Sequence, residues 1–147
     1  MKLIVHATDG SKEAAEALAL AIDLAKDTGA TLAVVSVHVV PIGGKGMKPP
    51  VSEVEQAHGA EHLADTAVAT AHAAGVDANP YVVTGDPAHA ITELAEALHA
   101  DLIVIGSRGF GALHGVLVGS VSRGVITRSK VPVTVVTNRG VREPVGA

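Results

Sequence analysis

Cysteine and tryptophan are absent from this 147-residue chain, and phenylalanine and tyrosine occur once each. Without cysteine, disulfides and thiolate metal sites are excluded. With so few aromatic rings, the chain is poor material for the stacking platforms that grip unpaired bases. Basic blocks are missing too: the formal net charge is −4, so the electrostatic signature of nucleic-acid binding is lacking. No apolar run approaches the ~20 residues of a membrane span. The opening Met1-Lys2-Leu3-Ile4-Val5 begins like a signal peptide but meets His6 and Asp9 too soon to be one. These absences lead to the expectation of a cytoplasmic protein that binds neither nucleic acid nor membrane.

What is abundant is small and aliphatic. Apolar residues make up 48% of the chain, chiefly Ala, Val, Leu and Ile, which suit close packing of helices on a sheet. The length fits one compact domain with an adequate core. Residues 1–140 are expected to form that domain, with a frayed tail over 141–147.

Five strand-like runs alternate with four helical ones. The strands are expected at Lys2–Thr8, Thr31–Val40, Asn79–Thr84, Asp101–Gly106 and Val131–Thr137. Their near-continuous apolar character is that of parallel strands covered on both faces. Between them, Ala14, Ala17, Leu18, Ala21, Ile22 and Ala25 recur at helical spacing. So do Ala57, Ala60, Ala64, Ala67, Val68 and Ala71, and later Ile91, Leu94, Ala95 and Leu98. Ser11 is placed to cap the first helix, Ser52-x-x-Glu55 has the capping-box pattern, and Asp86-Pro87 sets a cap before a first-turn proline. Gly29 and Gly75 stand where helices should stop, and Val40 to Val51 forms the longest connection.

Such alternation predicts an α/β fold: a doubly wound five-stranded parallel sheet with right-handed crossovers and four helices. Ligands of such sheets sit beyond the carboxyl ends of the strands, where the winding reverses. With strand order 3-2-1-4-5, Asp9 and Gly106 face one another across that crevice.

At the crevice lies the most informative segment. Gly106-Ser107-Arg108-Gly109 follows the apolar run Leu102-Ile103-Val104-Ile105 directly, and Gly119-Ser120 comes after nine intervening residues. Glycines let backbone approach a phosphate, and a helix start supplies unpaired N–H groups with a favourable dipole. Ser120 and Ser122 fall in that helix's first turn, and Arg108 is placed for a charge-assisted contact or simply for solvent. The competing explanation is a loop that merely turns sharply between strand and helix. For Asp9, likewise, the alternative to a ligand role is a turn or cap carboxylate.

Gly106–Ser122, together with Thr8-Asp9-Gly10-Ser11 and Val37-His38-Val39-Val40, resembles the universal stress protein family. The likeness runs nearly end to end, through Asp101–Gly109, Leu117–Ser122 and the closing Val131–Val136. Nucleotide-binding members carry G-x2-G-x9-G-[S/T], which Gly106, Gly109, Gly119 and Ser120 fit without gaps. The resemblance implies an adenine nucleotide alpha-hydrolase-like fold and ATP, with Mg²⁺, as ligand. It implies that Ala7 and Asp9 border the adenosine, Asp9 near the ribose, and that the Val39 backbone meets the adenine edge. Gly106 would lie beside the ribose, Gly109, Gly119, Ser120 and Val121 would give backbone contacts to phosphates, and Ser122 would direct its hydroxyl at the terminal phosphates. One departure is His114, near which many nucleotide-binding relatives carry Lys or Arg.

Other patterns carry less. His58-Gly59-Ala60-Glu61-His62 has the letters of an inverted zincin, but Gly59 is an odd choice for a ligand helix and no further ligand cluster is evident, so no metal site is expected. His6 and His38 read as strand residues packed or hydrogen-bonded within the fold. Neither a Walker A motif nor a G-x-G-x-x-G fingerprint is present, and no set of side chains makes a case for catalysis beyond slow ATP hydrolysis.

The last strand, Val131–Thr137, should lie at a sheet edge, where apolar character is unfavourable in isolation. The resemblance implies that it pairs with its twin in a homodimer. An ATP-binding regulatory protein of the stress response, its nucleotide state read by a protein partner, is thus the expected function. A nucleotide-independent interaction module and an adenylate-forming enzyme are the alternatives.

Overall fold

Apolar runs and alanine-rich helical stretches fold into strictly alternating strands and helices in the computed structural model, which describes residues 1–39, 53–107 and 118–137. In chain order these are β1 (Leu3–Ala7), α1 (Lys12–Thr28), β2 (Thr31–His38), α2 (Glu53–Ala73), β3 (Ala78–Thr84), α3 (Pro87–Ala97), β4 (Leu102–Gly106), α4 (Ser120–Arg128) and β5 (Val133–Val136). The strands make one sheet of order β3-β2-β1-β4-β5, and every pairing is parallel. This is the doubly wound α/β architecture that the alternation predicts. Among the described residues no helix is long and apolar enough to cross a membrane.

The side-chain period of two divides the core cleanly. Ile4, Leu32, Val34, Leu102 and Val104 face α1 and α2, which answer with Ala17, Leu18, Ala21, Ala67, Val68 and Ala71. Val5, Ala33, Val35, Ile103 and Ile105 face the other way, onto Ala88, Ile91 and Ala95 of α3 and Val125 of α4. Alanine dominates the helix faces, so helix backbones lie close to the sheet. The buried face of α1 is made of the six residues its periodicity marks.

Caps fix the helix ends. The Ser11 hydroxyl accepts from the Ala14 amide at 3.1 Å, and the Asp86 carboxylate from the His89 amide at 3.1 Å, with Pro87 in the first turn. Gly29 stops α1 in the left-handed region, φ 76°. Ser52, the proposed cap of α2, lies outside the described residues, as do the connection over 40–52 and the tail from 138.

Two expectations shift at the sheet margins. β3 is a margin strand with Asn79, Pro80, Val82 and Thr84 exposed, so it is not covered on both faces. β5 begins at Val133 rather than Val131, because the Ser129 hydroxyl bonds both the carbonyl and the amide of Val131 and holds a turn there.

At the amino edge of the sheet, the Asp101 carboxylate accepts from the amides of Lys2 and Leu3 at 2.6 and 3.0 Å. These bonds hold its carboxyl below the ordinary carboxylate range. They leave the opposite, carboxyl edge as the place where strand ends and helix starts converge.

Candidate functional site

At that carboxyl edge, the polar residues of the inner strands gather on one face. His6 and Thr8 on β1 and just beyond it, and Ser36 and His38 on β2, follow Ile4, Leu32 and Val34 on the α1/α2 face. All but His38 are buried, His6 completely. His6 donates from Nδ1 to the Val104 carbonyl at 3.0 Å, leaving its Nε2 without a partner. Burial pushes this imidazole down to about 4, with the Val104 carbonyl and the Asp9 carboxylate opposing only in part.

Beyond β1 the chain turns on its own side chains. The Thr8 amide donates to the Val35 carbonyl at 2.9 Å, extending the ladder by one residue. Thr8 Oγ1 accepts from the Gly10 amide at 3.2 Å, and Asp9 Oδ1 from the Ser11 amide at 2.9 Å. This Asx turn is the local role weighed for Asp9, and it occupies one carboxylate oxygen of a half-buried side chain. Gly10 supplies the positive φ of 78° that the turn requires.

Beyond β4 the backbone is clamped to the start of α4. The Ser107 amide donates to the Val136 carbonyl at 2.9 Å, and the Gly119 amide to the Ser107 carbonyl at 2.5 Å. The Ser122 hydroxyl donates to the Gly106 carbonyl at 2.6 Å. A Cβ at Gly106 would meet the Glu13 carbonyl carbon and oxygen of α1 at 2.9 Å, so the first glycine of the motif is fixed by packing against a helix. Gly119 caps α4 with no side-chain hydrogen bond, unlike Ser11 and Asp86 on their helices. Among the described residues, the amides of the first turn, Ser120, Val121 and Ser122, therefore have no capping side chain as acceptor.

These two turns lie together. His6 pairs with Val104 in adjacent parallel strands, so Asp9 and Gly106, three and two residues further on, emerge at the same edge. Beside them is an open cavity of about 320 Å³, lined by Thr8, Asp9, Ser36, Val37, His38, Val39 and, from α2, Gly59, Ala60 and Leu63. Asp9 and Val39, both expected at a ligand, share this wall. Ala7 does not: its side chain is buried with Val5 and Ile103 in the α3/α4 core, leaving only backbone toward the edge. Gly106, Gly119 and Ser122 belong to the clamp just described, Ser120 and Val121 lie in the helix turn that it holds, and Arg108 and Gly109 lie outside the described residues.

Sequence reasoning missed the α2 wall and the strand polars Thr8, Ser36 and His38. The signal for the latter was available. Polar residues interrupt apolar strands at positions 6, 8, 36 and 38, always on one face and toward the carboxyl end. The Nε2 atom of His38 is sealed in the cavity wall without a partner. His58, Glu61 and His62 are exposed on α2.

Residues 1–137 match the universal stress protein family. A universal stress protein of Methanocaldococcus jannaschii is 38% identical over 139 residues, covering 92% of this chain and 81% of the relative. Among solved structures, a universal stress protein in complex with cAMP superposes with a TM-score of 0.70 at 29% identity, covering 92% of this chain and 96% of that one. The universal stress protein from Archaeoglobus fulgidus in complex with dAMP gives 0.69 at 28% identity, with 92% and 97% covered. Family match, sheet order and the arrangement at the carboxyl edge agree, and the chain belongs to the universal stress protein family.

Proposed function

We propose that this protein binds an adenine nucleotide, ATP with Mg²⁺, across the carboxyl edge of its sheet. The observation that carries the reading is the convergence of an open cavity holding Asp9 and Val39 with the uncapped amino end of α4. The second Asp9 oxygen is available to a ribose hydroxyl. The amides of Ser120 and Val121, with the dipole of a nine-residue helix, suit a phosphate tail. Similar proteins bound to cAMP and dAMP support the adenosine half. Mg²⁺ would be held chiefly through the phosphates and water.

The Ser122 hydroxyl fits less directly. It already donates to the Gly106 carbonyl, so it contacts a phosphate oxygen only by giving up that bond. Its part in binding is to hold the β4 end against α4. No residue is assigned a catalytic role.

In this reading the protein is a cytoplasmic regulator of the stress response. Bound nucleotide changes a surface that a protein partner reads. β5 pairs with its twin in a homodimer. The second reading, a nucleotide-independent interaction module, has its own observation: packing against Glu13 accounts for Gly106 without any ligand.

Mass spectrometry of small molecules released on denaturing the purified protein separates the two. An adenine nucleotide that disappears in Gly119→Val supports the first reading. Its absence from the wild type after expression and after incubation with Mg²⁺–ATP supports the second.

A further inference from the structure

We infer that Gly59 sets the size of the group that the cavity admits, keeping the α2 wall low enough for a purine to enter. The identity of that group rests on the nucleotide reading above; the role of Gly59 in holding space open rests on α2 itself.

Glycine is a poor residue for the interior of a helix, second only to proline, and Gly59 lies well inside α2, Glu53–Ala73. Three structural demands ordinarily justify it. The first is a positive φ, which Gly10, Gly29, Gly75 and Gly85 have and Gly59 does not. The second is a close neighbour, as at Gly106 beneath Glu13 or Gly124, where a Cβ would sit 2.7 Å from Ala88 Cβ. A Cβ at Gly59 meets no described atom within 4 Å. The third is a helix end, and Gly59 is at neither. With conformation, capping and packing against the described residues all removed, what remains is the space itself: Gly59 lines the cavity beside Ala60, one turn before Leu63.

Volume sharpens the point. About 320 Å³ lies at the lower end of the range for small-molecule pockets, so one added side chain takes a large share of it. The opposite wall is less adjustable. Thr8 and Ser36 are buried, and Asp9 is tied into its turn. The α2 wall, built from Gly59, Ala60 and Leu63, is therefore where the cavity's width is decided, and its narrowest side chain belongs to Gly59. A base held between Val39 and α2 needs that gap, whereas a bulkier residue at position 59 would fill it.

The test measures AMP affinity by equilibrium dialysis, and thermal midpoint, for wild type, Gly59→Ala, Gly59→Leu and the outward control Ala69→Leu. Both helix-favouring changes at Gly59 should leave the midpoint equal or raised, because nothing described is displaced. Gly59→Ala should bind AMP within about threefold of wild type, and Gly59→Leu should lose about tenfold or more, with Ala69→Leu unchanged. Binding by a folded Gly59→Leu within about threefold of wild type overturns the inference. Should Gly59→Leu lower the midpoint, Gly59→Gln is judged by the same two criteria. A wild type that binds neither AMP nor ATP overturns the nucleotide reading first and this inference with it, so the two failures are told apart by the wild-type arm.

Discussion

The Ser122 hydroxyl reaches across from the first turn of α4 to the Gly106 carbonyl, 2.6 Å away, and ties the end of β4 to the start of the helix that follows it. The bond is partly buried, spans sixteen residues, and closes the two ends of the glycine motif into one unit. It makes the motif a structural clamp first, whatever anion then rests on its amides.

Ser122→Ala should accordingly lower stability, since it takes the donor away from a partly buried carbonyl. The expected cost is about 0.5–1.5 kcal/mol in chemical denaturation without nucleotide. An unchanged midpoint would mean the clamp contributes nothing.

Gly106→Ala tests the other side of the same unit. Its Cβ would press on the Glu13 backbone, which cannot rotate out of the way as a side chain can. Overpacking of this kind costs about 1–3 kcal/mol, and the loss should appear with no ligand present. If Gly106→Ala keeps full stability and loses only nucleotide affinity, the glycine serves the ligand and not the packing.

Gly124→Ala sets helix propensity against sterics. Alanine is the better helix former by about 1 kcal/mol, but its Cβ would lie 2.7 Å from that of Ala88, where α4 meets α3. Net destabilisation is expected, and Ala88→Gly in the same chain should recover it. A double mutant no more stable than Gly124→Ala alone would place the strain elsewhere.

His6 should make stability depend on pH. The neutral ring is buried, so its folded value of about 4 lies below the unfolded 6.5. As pH falls from 6.5 toward 4, the unfolded chain binds a proton that the folded one does not, and stability is lost over that window. The full effect is roughly 3 kcal/mol, all of it retained above pH 7. His6→Gln, which keeps a donor for the Val104 carbonyl but does not titrate, should flatten denaturation midpoints between pH 7 and pH 4.5. An equal slope in both proteins would assign the pH dependence to other groups.

β5, Val133–Val136, ends the sheet beyond β4 and is only half-buried in the isolated chain. Pairing with a second copy would cover it. Light scattering at micromolar concentration should give twice the mass of one chain; a monomer would contradict the dimer.

Much of this was legible in advance because its causes are local. The period of α1, the caps at Ser11 and Asp86, and the glycine stop at Gly29 act within one turn of helix. Strict alternation of strands and helices then leaves few topologies, and the observed order is one of them. What escaped the sequence depends on contacts between distant segments. The packing role of Gly106 was hidden because nothing local shows that Glu13 lies against it. The α2 wall was invisible because Gly59, Ala60 and Leu63 reach the cavity only after a crossover brings α2 over β2. Exposure along β3 and the late start of β5 likewise follow from margin position and the Ser129 turn, neither of which the apolar pattern encodes.

The central claim is that one cavity and one helix start, meeting at the sheet's carboxyl edge, take an adenine nucleotide. Isothermal titration of the wild type with Mg²⁺–ATP, repeated with Asp9→Ala, tests it most directly. Saturable binding of one nucleotide per chain, weakened about tenfold or more without the Asp9 carboxylate, is the expected result. No heat with the wild type, or identical isotherms for the two proteins, would contradict it.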